Sequence, residues 1–223
     1  MDAEAPDDGT LTEAGLAPAR AGRLLLIACG ALANEIMALK RLNGWDHLDL
    51  TCLPAILHNR PEKIAPAVED AVTRHRAAYD DIFVVYADCG TGGDLGRTCA
   101  RLGVSMMPGP HCYAFFEGVE TFAAHGEATA FYLTDFLARQ FDAFVWRPLG
   151  LDRHPGLRDA YFGNYEKLVH LAQTDDPALD ALARQHAARL GLAHERRFTG
   201  LGPMAEALGP IADRAAPASP RRG

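Results

Sequence analysis

The sequence predicts a single α/β domain with a mainly parallel sheet of five to seven strands and helices on both faces. Short apolar, β-prone runs alternate with helical patterns along most of the chain. The run Asp81–Ala87 is almost wholly apolar, which is typical of a strand buried on both faces of a parallel sheet. An apolar content of 48% in 223 residues is enough to form a sizeable core.

The first half alternates strands with helices in βαβ order. Its predicted strands are Arg23–Ala28, Leu48–Leu53, Asp81–Ala87 and Val104–Met107. Its predicted helices are Asn34–Leu42, Ile64–Tyr79 and Asp94–Leu102. Asn43-Gly44 and Gly103 follow two of these helices, as is typical of helix ends.

The second half has a less regular pattern. Helices are predicted at Cys112–Glu117, Gly118–His125, Phe131–Phe141, from Pro177 through Leu190, and after Gly200–Gly209. Strands are predicted at Ala143–Arg147, Tyr165–Gln173 and Glu195–Thr199. The composition predicts a disordered leader at 1–21, the α/β domain at 22–212 and a disordered tail at 213–223.

Charge and composition exclude several classes of protein. The net charge of −7 argues against a general nucleic-acid binder. No apolar run reaches the roughly 18–20 residues of a membrane span, so no membrane partner is expected. The start of the chain has no apolar signal core, and five cysteines in this length do not resemble a disulfide framework. We therefore expect a cytoplasmic protein with reduced thiols.

Three cysteines follow three predicted strands. Cys29, Cys89 and Cys112 each lie in a turn beside a strand end, and His58 follows the strand Leu48–Leu53. Because the carboxyl ends of parallel strands meet at one edge of a sheet, these side chains are expected to converge. Three sulfurs and an imidazole are suitable ligands for zinc or an iron–sulfur cluster. The competing interpretation is that each cysteine is an inert, buried apolar residue.

The remaining cysteines and histidines have weaker placements. Cys52 lies inside a strand and Cys99 on a helix, where packing alone explains them. His111 precedes Cys112 after a rigid Pro-Gly-Pro segment, so either His58 or His111 completes the metal site while the other supports it or carries protons. The histidines without an assigned role are His47, His75, His125, His154, His170, His186 and His194.

The glycine-rich turn Asp88–Gly93 has two interpretations. It superficially resembles a loop that binds a nucleotide-type cofactor, and it precedes a helix whose N-terminus suits an anion. However, it follows the third strand rather than the first. A tight strand-to-helix turn that presents Cys89 as a ligand is the favoured interpretation.

Three further residues are candidates for substrate binding. Arg60 follows His58-Asn59, and Arg147 closes a predicted strand, so either guanidinium is suited to pair with a carboxylate or phosphate. Tyr113 follows Cys112 directly.

Several long segments resemble the domain-of-unknown-function family 1638. They are ACGAL, LPAILHNRPEKI, YADCGTGGDLGR, PGPHCYAFFEG, FYLTDFLARQFD, LGLDRHPGLRDAYFGNYEKLVHLAQTDDPALDALA and RRFTGLG. The resemblance covers about Arg23 to Leu208. It implies family cysteine and histidine positions at Cys29, Cys89, His111 and Cys112, and an association with corrinoid-dependent methyl transfer.

Three functions agree with these residues. The first is a zinc enzyme of one-carbon metabolism that activates a thiol or similar nucleophile for methyl transfer, alone or with a corrinoid or methyltransferase protein. The second is a [4Fe–4S] protein with an open iron site for lyase or desulfurising chemistry. The third is an accessory protein that delivers a metal or cofactor. A small-molecule substrate is expected for the enzymes, and an oligomer is compatible with each function.

Overall fold

The computed structural model describes residues 6–19 and 22–215. In this part of the chain seven strands form two sheets, and every strand pair is parallel. The strands are β1 Leu24–Cys29, β2 Leu48–Leu53, β3 Asp81–Val85, β4 Ser105–Met106, β5 Ala130–Thr134, β6 Lys167–Ala172 and β7 Ala193–Phe198. The α/β class with parallel strands is confirmed, and its strands are divided between two sheets.

The first sheet has the strand order β2-β1-β3-β4. Strand β1 lies between two neighbours, and all six of its residues are buried. Ala28 aligns with Cys52 on one side and Val85 on the other, so β1, β2 and β3 end nearly level. The loops that leave these strands therefore start from one edge of the sheet.

The second sheet has the order β5-β6-β7. Its central strand β6 is buried at every position except Lys167, which is intermediate. Leu168 aligns with Phe131 of β5 and His194 of β7. Since aligned residues of parallel strands point to the same face, Leu168 and His194 share one face, and His170 joins them by the two-residue period.

Nine α-helices connect and cover these strands in the described residues. They are α1 Asp8–Glu13, α2 Ala33–Asn43, α3 Ile64–His75, α4 Asp94–Leu102, α5 Val119–His125, α6 Asp135–Arg139, α7 Arg158–Phe162, α8 Pro177–Leu190 and α9 Gly202–Ala215. Helix α3 buries Ile64, Val68 and Val72 on one stripe, as the sequence pattern predicts. Helix α8 begins at an Asp176 cap with Pro177 in its first turn and ends at Gly191 in the left-handed conformation.

Two predictions for the second half are wrong. The segment predicted as a helix at Phe131–Phe141 is β5 followed by α6, and the Thr134 hydroxyl accepts a hydrogen bond from the Leu137 amide at the junction. Short apolar runs do not distinguish helix from strand, and here pairing with β6 selects the strand.

The predicted strand Ala143–Arg147 is also corrected. It overlaps a π-helical turn, Asp142–Trp146, in which the Arg147 amide donates to the Asp142 carbonyl at 3.0 Å. Hydrogen bonds within the turn satisfy this backbone without a neighbouring strand. Val145 packs in the core of the second half, which explains the apolar character of the segment.

Part of the predicted disordered leader is ordered. Helix α1 begins at an Asp7 cap, whose carboxylate accepts from the Thr10 amide at 3.0 Å, and its Leu11 is fully buried. Leu16 exchanges backbone hydrogen bonds with Cys52 on the outer edge of β2. At the other end α9 continues through Ala215, and 216–223 lie outside the described residues.

Among the residues that the structure describes, no helix combines the length and the apolar character needed to cross a membrane.

Candidate metal centre

Four metal-ligating side chains come from four successive strand exits of the first sheet. Cys29 ends β1, and His58 lies in a 3₁₀ turn, Ala55–Asn59, that follows β2. Cys89 follows β3, and Cys112 begins a 3₁₀ turn, Cys112–Phe116, after β4. We call these four residues the thiol site. Their convergence is the arrangement that the strand pattern predicts.

Backbone hydrogen bonds join the loops that carry Cys89 and Cys112. The Asp88 amide donates to the Gly109 carbonyl at 3.0 Å, and the Cys89 amide donates to the Pro110 carbonyl at 2.9 Å. Cys89 has φ 49°, and it is the one non-glycine residue with positive φ in the described chain. A left-handed cysteine costs on the order of 1–2 kcal/mol. Strain of this kind is concentrated at functional positions.

The glycine-rich turn is stabilised by its own aspartate. The Asp88 carboxylate accepts hydrogen bonds from the Thr91 hydroxyl at 2.8 Å and from the Gly93 amide at 2.7 Å. Gly90, Gly92 and Gly93 all have positive φ, which allows the chain to reverse before α4. Amides of the turn therefore donate hydrogen bonds to Asp88 within the same turn. This geometry agrees with a tight turn that presents Cys89.

Three of the four ligating residues form a compact group. One ligand atom from each of His58, Cys89 and Cys112 lies within 4.8 Å of the other two. The two sulfurs are 3.0 Å apart. Two thiolates on one tetrahedral zinc ion, with Zn–S bonds of about 2.3 Å, lie about 3.8 Å apart. The sulfurs need to separate by less than about 1 Å to reach that spacing.

Cys29 lies beside this group rather than within it. Its sulfur is 3.5 Å from Nδ1 of His58 and accepts a hydrogen bond from the Ala31 amide at 3.4 Å. The Ala55 carbonyl also lies 3.2 Å from the same imidazole nitrogen. Nδ1 of His58 therefore faces Cys29 and the backbone, which leaves Nε2 as the nitrogen available to a metal.

The charges of the site are coupled. The hydrogen bond with Cys112 lowers the pKa of Cys89, and contact with His58 adds to this, so that the pKa falls to about 5 despite burial. Burial raises the pKa of Cys112 well above the usual thiol range, and the neighbouring Cys89 adds to this. Burial lowers the pKa of His58, but interactions with the sulfurs of Cys29 and Cys89 outweigh it and raise that pKa. The group therefore already favours one thiolate beside an imidazolium.

Tyr86 lies against the thiol site and is absent from the sequence prediction. Its ring stacks on His58 with centroids 6.1 Å apart, and its hydroxyl has no hydrogen-bond partner among the described residues. Burial raises the pKa of Tyr86 well above its usual range, and the site cysteines add to this effect. Tyr86 directly follows the apolar strand β3, and this position in the sequence is typical of core packing.

A cavity of about 340 Å³ opens beside the thiol site. Its walls come from both halves of the molecule, and most of its lining is apolar or aromatic. The lining residues are Cys29, Ala31, Leu32, His58, Asn59, Cys89, Gly90, His111, Cys112, Tyr113, Phe116, Phe131, Tyr132, Leu133, Thr134, Leu137, Phe144 and Val145. The metal-ligating group thus faces a chamber large enough for a small organic molecule.

One aromatic stack crosses between the halves at this cavity. Tyr113 stacks on His111 with centroids 4.9 Å apart and on Tyr132 of β5 with centroids 5.6 Å apart. Phe122 packs edge-on to Tyr113. Tyr132 has no site role in the sequence prediction.

The predicted substrate-binding residues are placed differently from one another. Tyr113 and His111 line the cavity, and His111 is exposed at its surface. Arg60 and Arg147 are both exposed and do not line it. Arg147 instead donates from Nε to the Asp142 carbonyl at 3.3 Å. Cys52 and Cys99 are buried in the core away from the cavity lining.

Comparison with known proteins gives a family but no activity. The model of the family described as "Protein of unknown function (DUF1638)" matches residues 52–208. No curated protein and no solved structure matches the chain.

Proposed function

This chain belongs to the DUF1638 family, and we propose that it is a zinc-dependent enzyme that activates a thiol or similar nucleophile for methyl transfer. The observation that carries the proposal is the convergence of His58, Cys89 and Cys112 from three strand exits to within 4.8 Å, beside a cavity. These donors match the nitrogen and sulfur ligands that zinc prefers.

The spacing favours a single ion over a [4Fe–4S] cluster. In a cubane cluster each thiolate binds a different iron, so its cysteines are farther apart than ligands of one ion. Cys89 and Cys112 are 3.0 Å apart at their sulfurs. Opening the site around a cluster would require large movements of two hydrogen-bonded loops, whereas a zinc ion requires a small one.

We assign the metal to three residues and leave the fourth position open. His58 binds through Nε2, and Cys89 and Cys112 bind as thiolates. Cys29 acts on the opposite nitrogen of His58, where it orients the imidazole. Three protein ligands and one open position are the typical pattern of catalytic zinc sites, whereas structural sites are closed by four.

Other residues that line the cavity are assigned to proton transfer, orientation and exclusion of water. When bound, a zinc ion would lower the pKa of a substrate thiol at the open position. Since His58 is assigned as a ligand, His111 at the cavity surface is the better proton carrier. The stacked ring of Tyr113 holds the imidazole of His111 in place. The aromatic walls exclude water and favour a small, weakly polar substrate.

Arg60 and Arg147, which the sequence predicts as substrate-binding residues, have no role in this proposal. Arg60 and Arg147 do not line the cavity, so recognition of an anionic substrate is not assigned to them.

The proposal also requires reduced thiols, and we therefore place the protein in the cytoplasm.

Metal analysis of cysteine variants tests the site. Protein purified both aerobically and anaerobically is expected to be colourless and to contain zinc. Cys89→Ser and Cys112→Ser should each remove most zinc from the thiol site, because each deletes a direct ligand. Cys52→Ser and Cys99→Ser are matched controls, since both remove a buried thiol elsewhere in the core. Equal loss in all four variants would show a general folding defect and contradict the assignment.

Cobalt substitution tests whether the site is open. In protein loaded with Co²⁺, addition of a small alkyl thiol should change the visible spectrum, because the thiol enters the first coordination sphere. The change in Cys112→Ser protein should be much smaller, because this variant lacks one ligand of the thiol site. An unchanged spectrum in the wild type would mean that four protein ligands close the site, which favours the accessory-protein function. A brown protein with iron and sulfide would favour the cluster.

A further inference from the structure

A second group of metal-ligating side chains lies on the second sheet. His170 on β6, Asp180 on α8 and His194 on β7 each offer a ligand atom within 4.8 Å of the other two. We call these residues the histidine–aspartate cluster. His170 is 1% exposed, and the side chains of His194 and Asp180 are 10% and 20% exposed. None of the three lines the cavity beside the thiol site.

Each residue of the cluster has a buried polar atom without a hydrogen-bond partner among the described residues. These atoms are Nδ1 of His170, Oδ1 of Asp180 and Nε2 of His194. Leaving such an atom buried and unpaired destabilises the fold. Folded proteins contain few of them. Nε2 of His194 and Oδ1 of Asp180 lie 3.5 Å apart, and one ion placed among the three atoms would satisfy all of them.

The second polar atoms of His170 and Asp180 are already occupied. Nε2 of His170 is 3.0 Å from Oδ1 of Asp135, whose other oxygen accepts from the Thr174 amide at 2.9 Å. Oδ2 of Asp180 accepts from Arg184 at 2.7 Å. A carboxylate that orients the outer nitrogen of a histidine is typical of metal-binding histidines. Nδ1 of His170 and Oδ1 of Asp180 are thus fixed in orientation by these neighbours.

A guanidinium group also approaches the aspartate. Nε of Arg196 lies 3.9 Å from Oδ1 of Asp180. That guanidinium also pairs with Asp175 at 2.8 Å and lies over the ring of Phe198. Arg196 is therefore held elsewhere, and the distance to Oδ1 of Asp180 is too long for a hydrogen bond.

We propose that His170, Asp180 and His194 bind a divalent transition-metal ion of the zinc class. Two imidazoles and one carboxylate suit zinc, and their partly exposed side leaves a position for water as the fourth ligand. The ion joins α8 to β6 and β7, so it stabilises the second sheet. This inference does not depend on the thiol site or on the proposed function.

Zinc reloading of full-length protein tests the inference. After removal of metal by a chelator, the wild type should take up about one more zinc equivalent than His194→Gln or Asp180→Asn. His154→Gln is the matched control, since His154 is exposed and lies outside both sites. Circular dichroism of the metal-free proteins checks that each variant is folded. Zinc uptake by folded His194→Gln equal to that of the wild type would overturn the proposal.

A second measurement does not require a change in the cluster. Full-length protein carrying both Cys89→Ser and Cys112→Ser should still bind Co²⁺, with a spectrum that lacks thiolate-to-cobalt charge transfer. Its thermal unfolding midpoint should rise when zinc is added, because the ion binds the folded state only. No cobalt binding and no zinc-dependent rise in this folded protein would overturn the proposal.

Discussion

The two sheets differ in the donors that they present and in where those donors lie. The first sheet carries sulfur donors in loops beyond its strand ends, beside a cavity. The second sheet carries nitrogen and oxygen donors on the faces of its strands and on α8, outside that cavity lining. Donors in exit loops have access to substrate, whereas donors on a covered sheet face have little. The comparison suggests a reactive centre in the first region and a stabilising one in the second.

The largest expected effect is the loss of metal from one site when a ligand of that site is replaced. Substitutions in the two sites test directly whether the sites are independent. Cys112→Ser is expected to remove nearly all metal from the thiol site and leave the histidine–aspartate cluster loaded. His194→Gln is expected to do the reverse, because the two groups share no ligand. Metal content and Co²⁺ spectra of both variants and the double variant measure this. Loss of both metals in either single variant would show that the regions are not independent.

The next largest expected effect is a pH dependence of stability that is caused by Glu35, which lies where the two regions meet. Its carboxyl is 8% exposed, and burial raises its pKa to about 7, with Asp135 and Asp8 adding to this. The folded-state pKa thus exceeds the unfolded value of 4.5. The stability that the neutral carboxyl contributes is fully present below the unfolded value and is lost as pH rises through about 7.

Glu35→Gln should remove this pH dependence. At pH well above 7 the wild type loses about 3 kcal/mol through Glu35, so the variant should be more stable there by up to that amount. At low pH the two should unfold at similar denaturant concentrations. Urea unfolding across this pH range measures the difference. Parallel stability curves for the two proteins would contradict the assignment.

Cys29→Ser should have an intermediate effect on the first region. If Cys29 orients His58 rather than binding the metal, the substitution should weaken zinc affinity by about 10–100-fold without abolishing binding. Competition with a chromophoric chelator measures the affinity. A loss as complete as that of Cys89→Ser would instead make Cys29 a direct ligand, as the strand-exit pattern predicts.

The smallest effect involves the aromatic contact between the regions. Tyr113 stacks on Tyr132 with centroids 5.6 Å apart. A double-mutant cycle of Tyr113→Leu and Tyr132→Leu should give a coupling of about 0.5–1.5 kcal/mol in the free energy of unfolding. Tyr161→Leu serves as a control, since that ring is exposed. If the two substitutions lower the free energy of unfolding additively, the stack does not couple the two halves.

The first region was predictable from sequence because its donors follow β-prone runs directly. Cys29, His58, Cys89 and Cys112 needed only the rule that parallel strands share a carboxyl edge. Which of the four side chains lie closest together was not predictable, because this depends on the loop hydrogen bonds at Cys89 and on the orientation of His58.

The second region was harder to predict for two physical reasons. The segment 130–139 is apolar in a pattern that fits a helix, and only pairing with β6 makes Ala130–Thr134 a strand. His170 lies within a predicted strand and His194 directly precedes another, so neither is at a predicted strand exit. The alternation that places both on one sheet face was the available signal, but it requires the β6–β7 register.

X-ray absorption at the metal edge of purified His194→Gln protein is the most direct test of the thiol site. This variant limits the signal to the first region. We expect zinc bound by about two sulfurs at about 2.3 Å and at least one nitrogen at about 2.0 Å. A shell without sulfur, an iron edge with sulfide neighbours, or protein without metal in the presence of added zinc would contradict it.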